Sequence, residues 1–154
     1  MKTKTILVSL VVFLAGLAVC VATDLNMGTW KLNEAKSKLS PGAARNNTVV
    51  YEAAGDSVKI TVDGIDSDGK PAHNVWTGKF DGKDYPVTGD PTSDARSYES
   101  VDAHTLALSV KKSGNETVTG RIVVADNGKT RTVTTSRTDS KDNKISNTAV
   151  YDKQ

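Results

Sequence analysis

Ser57-Val58-Lys59-Ile60-Thr61-Val62-Asp63 decides the architecture of this chain. Val58, Ile60 and Val62 alternate with Lys59 and Thr61. A period of two sets one face of a strand against a core and the other against water. Gly55-Asp56 precedes the run and Asp66-Ser67-Asp68-Gly69 follows it, so turns bound it on both sides. The same unit recurs outward in both directions. Asp68-Gly69-Lys70, Asp81-Gly82-Lys83 and Asn127-Gly128-Lys129 each separate stretches rich in Val, Thr, Ile and Tyr. Asp-Gly and Asn-Gly accept the positive φ that a tight hairpin requires. No gap between these runs is long enough for a crossover helix, so successive strands must pair antiparallel. A meander of this length is expected to close on itself, because closure removes exposed edges.

The expected fold is therefore all-β, an antiparallel up-and-down β-barrel of about 8–10 strands with little helix. Gly28-Thr29-Trp30-Lys31-Leu32-Asn33 reads as its first strand, with Trp30 and Leu32 on one face. Residues 34–44 hold at most a turn or two of helix before Pro41-Gly42 breaks them. Between residues 72 and 80, Asn74, Trp76, Gly78 and Phe80 share a face. In residues 130–138, Arg131, Val133, Thr135 and Arg137 share one face and Thr132, Thr134 and Ser136 the other. Neither face is strongly apolar, which predicts a weakly packed edge or a wet interior.

Residues 1–22 read as a secretory signal peptide. Lys2 and Lys4 form a basic start, Ile6 to Val21 is apolar apart from Ser9 and Gly16, and Ala22 offers a cleavage site before Thr23. Residues 23–154 then form a single domain, and a secreted or periplasmic location is expected. No stop-transfer charges follow the apolar run, so stable membrane insertion after cleavage is not expected. The whole chain carries 20 basic and 18 acidic side chains, and removing Lys2 and Lys4 leaves 18 of each. A neutral mature chain argues against a nucleic acid reached through bulk charge. The only cysteine, Cys20, lies in the leader, so the domain relies on its core without disulfides.

Chemistry-bearing patterns are sparse. His73 and His104 are the only histidines and have no partners at ligand spacing. Asp63, Asp66 and Asp68 resemble part of a calcium loop, but the distal Glu is missing, and a solvated hairpin turn explains them better. No Ser sits in a Gly-x-Ser-x-Gly elbow. No catalytic residue, metal or cofactor is assigned, and the chain does not read as an enzyme. Arg96, Arg121, Arg131 and Arg137 all fall on strands. Strand arginines usually solvate an edge. The functional alternative is that one or two point inward, where a planar guanidinium can hold a ligand carboxylate bidentately.

Gly28-Thr29-Trp30-Lys31-Leu32 resembles the first strand of the calycins, the lipocalins and fatty-acid-binding proteins, whose Gly-x-Trp plugs one end of an up-and-down barrel. Thr148-Ala149-Val150-Tyr151-Asp152-Lys153 is similar to the closing strand of the fatty-acid-binding proteins. The resemblance implies that Tyr151 matches the family's carboxylate-binding tyrosine and that Arg121 roughly matches its strand arginine. Ala149 stands where that family has its ligand-binding arginine, and residues 34–46 are too short and broken for its helical lid. With its leader, the chain also resembles lipocalin-like proteins exported by bacteria.

These readings together describe an exported barrel, expected to be a monomer, that binds a small hydrophobic or amphipathic ligand. Tyr51, Trp76, Phe80, Arg121, Arg137 and Tyr151 are its candidate ligand-binding residues. Gly28 and Trp30 are expected to plug one end, with a long cation such as Arg137 or Lys153 over the indole. The alternative is a filled barrel that serves as an interaction module, an inhibitor or an envelope accessory protein. Interior volume separates the two, since a ligand carrier needs roughly 300 Å³ or more.

Overall fold

The computed structural model describes residues 24–154. The signal-peptide reading of residues 1–22 lies outside them. Ten strands follow in chain order: β1 (Gly28–Leu32), β2 (Arg45–Ala54), β3 (Ser57–Ile65), β4 (Pro71–Gly78), β5 (Tyr85–Thr88), β6 (Ala95–Ser100), β7 (Thr105–Lys112), β8 (Asn115–Val124), β9 (Thr130–Thr138) and β10 (Lys144–Lys153). Each pairs antiparallel with its neighbours in sequence, and β1 also pairs with β10, so the meander closes into a barrel. Closure is fixed by Trp30↔Lys153 on one side of β1 and Trp30↔Val49 on the other. The all-β antiparallel barrel is thus the observed fold, with ten strands and, among the described residues, only a 3₁₀ turn at Glu34–Lys36.

The hairpins close where Asp-Gly and Asn-Gly place them. Gly69 adopts φ +78° and Gly128 φ +65°, and an L side chain there would be strained. Asp66, read as part of a calcium-like fragment, serves the turn instead. Its Oδ1 accepts hydrogen bonds from the Asp68 and Lys70 amides, both at 2.9 Å. Asp63 faces His73 across the hairpin at 2.6 Å. Among the described residues no cluster of three metal-ligating side chains occurs.

Alternation puts Val49 and Tyr51 (β2), Ile60 and Val62 (β3), Trp76 (β4), Tyr98 (β6), Leu106 (β7), Ile122 and Val124 (β8) and Tyr151 (β10) into one core with Trp30. Trp30 and Trp76 are both 0% exposed. Each indole N–H has a carbonyl to donate to. Trp30 Nε1 reaches Asn26 O at 2.7 Å, and Trp76 Nε1 reaches Arg96 O at 3.0 Å. That satisfaction is what allows so large an amphipathic ring to be fully buried. Residues 34–46 run along the rim. Lys38 bridges Thr148, and the Ser40 amide donates to Asn147 Oδ1 at 2.6 Å.

Candidate functional site

The barrel interior divides into a filled base and a small open mouth. At the base, register brings Arg131 of β9 opposite Val124 of β8 and Tyr151 of β10. Its guanidinium carbon lies 4.8 Å from the Trp30 ring centre, 4.8 Å from Tyr51 and 4.9 Å from Tyr151. The residue is 2% exposed. Three aromatic faces attract a cation through their quadrupoles, but they offer no lone pair. Nε and Nη1 are buried without a hydrogen-bond partner, and Arg131 enters no ion pair among the described residues.

Lys153 completes the cover of the indole. Its Nζ lies 5.1 Å from the Trp30 ring and donates to Leu25 O at 3.2 Å. The aliphatic end of the same side chain fills the space beside Gly28, where a Cβ would stand 3.2 Å from Lys153 Cε. Trp30 is therefore covered by Lys153 and by Arg131, not by Arg137. The correction has a simple cause. Arg131, Val133, Thr135 and Arg137 share one face of β9, but Trp30 sits near the end of the barrel where β9 begins, and Arg137 lies at the opposite rim, exposed.

A second aromatic group packs beside this base. Trp76 meets Tyr98 edge to face at 4.7 Å between centres, stacks on Phe80 at 6.3 Å and meets Tyr85 at 5.7 Å, and Tyr51 touches Phe80 at 6.4 Å. Trp76 and Tyr51 are buried, and Phe80, just beyond the end of β4, is half-buried. Burial pushes the Tyr98 phenol up to about 12, with a contribution from nearby Tyr51 that Arg96 and Arg131 oppose. Burial likewise pushes Tyr151 up to about 12 against the pull of Arg131. Both phenols are therefore neutral donors at neutral pH.

Arg96 is the second buried arginine, and its surroundings differ. Nη1 donates to Asn74 Oδ1 at 2.9 Å and Nη2 to Asp90 Oδ2 at 2.6 Å. Asp90 also accepts from the Thr92 amide and the Thr92 and Ser93 hydroxyls. Burial disfavours its charge, but these hydrogen bonds and Arg96 outweigh that and lower its carboxyl to about 2. This pair pins the loop between β5 and β6 to the sheet.

Above Tyr151 the interior opens into a recess of about 100 Å³. Leu32, Leu39, Val133 and Ala149 give it apolar walls, and Thr135, Asn147 and Arg45 give it a polar rim. Of the sequence-predicted ligand residues, Tyr51, Trp76, Phe80 and Tyr151 belong to the interior, and Tyr151 alone of them lines the recess. Arg121 does not point inward. It is exposed on the outer face of β8 because its neighbours Ile122 and Val124, 3% and 1% exposed, take the inner positions. Arg137 lines a separate polar hollow at the rim. Of Arg96, Arg121, Arg131 and Arg137, from which the sequence expects one or two to point inward, the two that are buried are Arg131 and Arg96, not the candidate ligand residues Arg121 and Arg137. For Arg131 a signal existed, since it shares parity with Val133 and lies near the strand end that meets Trp30.

No family model matches the chain, and no curated protein matches its sequence. Among solved structures, it is similar to EF1p2_mFAP2b bound to DFHBI, at 13% identity over 86% of this chain and 97% of that one, with a TM-score of 0.47. It is similar to the redesigned β-barrel mFAP1 bound to DFHBI, at 17% identity over 86% and 98%, with a TM-score of 0.44. It is also similar to the redesigned β-barrel b11L5F_LGL, at 14% identity over 88% and 97%, with a TM-score of 0.45. The chain's closed ten-strand pairing is consistent with a calycin-like barrel.

Proposed function

We propose that the protein is an exported, non-catalytic binding barrel that takes a small amphipathic acid at its mouth. The observation that carries this reading is the buried Arg131 guanidinium, which has two unpartnered nitrogens and no acidic side chain paired to it among the described residues. Burying a charge without a partner is costly. The Arg131 guanidinium carbon lies 4.9 Å from the ring of Tyr151, which in turn lines the recess. A carboxylate entering between the apolar walls would meet the Tyr151 side of this cation, and its hydrocarbon part would lie against Leu32, Leu39, Val133 and Ala149. The recess is about 100 Å³, against the roughly 300 Å³ where drug-sized pockets begin. The ligand, or the part of it that enters, is therefore only a few carbons long.

The same volume favours a second reading, a filled barrel that works through its outer surface. Two measurements separate them. Organic extracts of the purified protein are examined by mass spectrometry, and the apoprotein is titrated with short-chain carboxylic acids and the matching alcohols while its buried indoles are followed by fluorescence. Binding predicts a saturable response, with the acid favoured over the alcohol by about tenfold or more. Empty extracts together with no saturable response to either series would reject the proposal and leave the filled barrel.

A further inference from the structure

The seam between β8 and β9 opens before the strands end. Their pairing runs from Val124↔Arg131 to Thr119↔Ser136 and stops. Beyond that point Val118 and Glu116 stay paired to β7, and Arg137 and Thr138 stay paired to β10. The two strands therefore part and leave a hollow of about 410 Å³ lined by residues 116–119 and 136–138 together with Lys144. That volume lies within the roughly 300–1,000 Å³ range of small-molecule sites.

The lining combines four hydroxyls, two cations, the carboxylate of Glu116 and the apolar Val118. Thr119, Ser136 and Thr138 present hydroxyls that make no side-chain hydrogen bond among the described residues, whereas Thr117 donates to Val110 O at 3.2 Å. Arg137 and Lys144 are exposed and form no ion pair among the described residues. Two acids are charged here as well: Glu116 lines the hollow and Asp139 feels the charge of Arg137, although the hydrogen bonds of both go elsewhere. Glu116 accepts the Ser109 hydroxyl at 2.6 Å, across β7. Asp139 accepts the Lys141 and Asn143 amides at 2.8 and 2.9 Å within the β9–β10 turn. Val118 is the only apolar side chain lining the hollow, so a hydrocarbon chain would gain little by entering.

We propose that this hollow is a binding site for a small polyhydroxylated oxyanion, an acidic or phosphorylated sugar. Arg137 and Lys144 supply two cations for the carboxylate or phosphate, and a guanidinium can hold either bidentately. The free hydroxyls of Thr119, Ser136 and Thr138 both donate and accept, which suits the mixed donors and acceptors of a sugar ring. The site is separate from the mouth recess and does not depend on a ligand binding there.

The test is a titration of the isotope-labelled protein, followed through its amide NMR shifts, with glucose 6-phosphate and glucuronate as probes and glucose and inorganic phosphate as controls. The expected result is a saturable shift of residues 116–119, 136–138 and 144, with at least one charged sugar binding about tenfold or more tightly than either control. The Arg137→Gln/Lys144→Gln double variant is expected to weaken that binding by about tenfold, and Thr119→Val/Ser136→Ala to reduce the advantage of sugar phosphate over phosphate. All four positions lie at the surface or rim, and an unchanged circular dichroism spectrum confirms that the variants fold. Several outcomes would overturn the proposal: no saturable shift, phosphate binding as tightly as sugar phosphate, perturbations spread over basic side chains elsewhere, or unchanged affinity in the double variant.

Discussion

Replacing Arg131 by methionine isolates the charge from the volume. The guanidinium is held by three rings at 4.8–4.9 Å, each contact worth up to about 2 kcal/mol when desolvated. Against this stand two buried nitrogens, Nε and Nη1, whose N–H groups have no acceptors, each nitrogen costing about 1–3 kcal/mol, and the withdrawal of the ion from water, which costs several kcal/mol more. The opposing terms are of similar size, with the balance against the charge. Methionine is unbranched, fills comparable space and makes favourable sulfur–aromatic contacts. Arg131→Met is therefore expected to be neutral or to stabilise the ligand-free barrel by up to about 3 kcal/mol. Arg131→Ala leaves a hole among three rings and is expected to destabilise by about 2–4 kcal/mol. Urea unfolding, followed by tryptophan fluorescence and circular dichroism together, gives both values, and an unchanged slope assigns the difference to stability. If methionine proves as damaging as alanine, the guanidinium contributes a net attraction and the reasoning is refuted.

Three further outcomes follow from the packing and the titrating groups. A Cβ added at Gly78 would stand 2.5 Å from Tyr85 Cγ and 2.6 Å from Trp76 Cζ2; Gly78→Ala should cost about 1–3 kcal/mol, and a wild-type melting temperature would show that the aromatic cluster can yield there. Tyr98 and Tyr151 are both raised from 10.0 to about 12, so the folded state keeps phenol protons that the unfolded chain has released. Their contribution is complete below pH 10 and is lost as pH rises toward 12, by up to about 3 kcal/mol per tyrosine. Tyr98→Phe should flatten that loss, and a wild-type minus Tyr98→Phe difference spectrum showing tyrosinate at an ordinary phenol pH in a still-folded protein would contradict it. Asp90 runs the other way, with its carboxyl lowered from 3.8 to about 2. Its contribution, about 2 kcal/mol, is present above pH 4 and disappears as pH falls through 2. Asp90→Asn should remove that acid dependence, and an acid-unfolding curve unchanged in this variant would place the dependence elsewhere.

Much of the barrel was legible because strands and turns have local signatures. The run from Ser57 to Asp63 and the Gly69 and Gly128 turns are found where alternation and turn chemistry put them. Closure followed from counting hairpins, and Trp30 in the first strand was read as a plug from Gly-x-Trp. Which arginine enters the interior was harder to read. Parity separates Arg121 from Arg131 once Ile122 and Val124 are recognised as core, but it does not separate Arg131 from Arg137. They lie on the same face of β9 six residues apart, and only the stagger of β9 against β1 and β10 decides which of them meets Trp30. The hollow at Thr119 and Ser136 depends on where β8 and β9 stop pairing, and no local residue pattern marks that position. The partners of Arg96, Asn74 and Asp90, lie 22 and 6 residues away and converge only through the fold.

The two buried arginines are a control for each other. Arg96 has a carboxylate, an amide oxygen and a loop that its pairing holds in place, and only its Nε is buried without a partner. That is how a protein uses an interior cation for structure, because the partners offset the desolvation. Arg131 has rings but no anion among the described residues, in a core it shares with Trp30, Tyr51 and Val124. A buried polar group left without a partner calls for an explanation other than packing. If Arg131 served only to seal the base, Arg131→Met would leave binding at the mouth unchanged. If it supplies charge to a ligand, the same substitution keeps the fold and removes the preference for acids over alcohols. Stability and acid selectivity measured on one variant therefore separate the two roles.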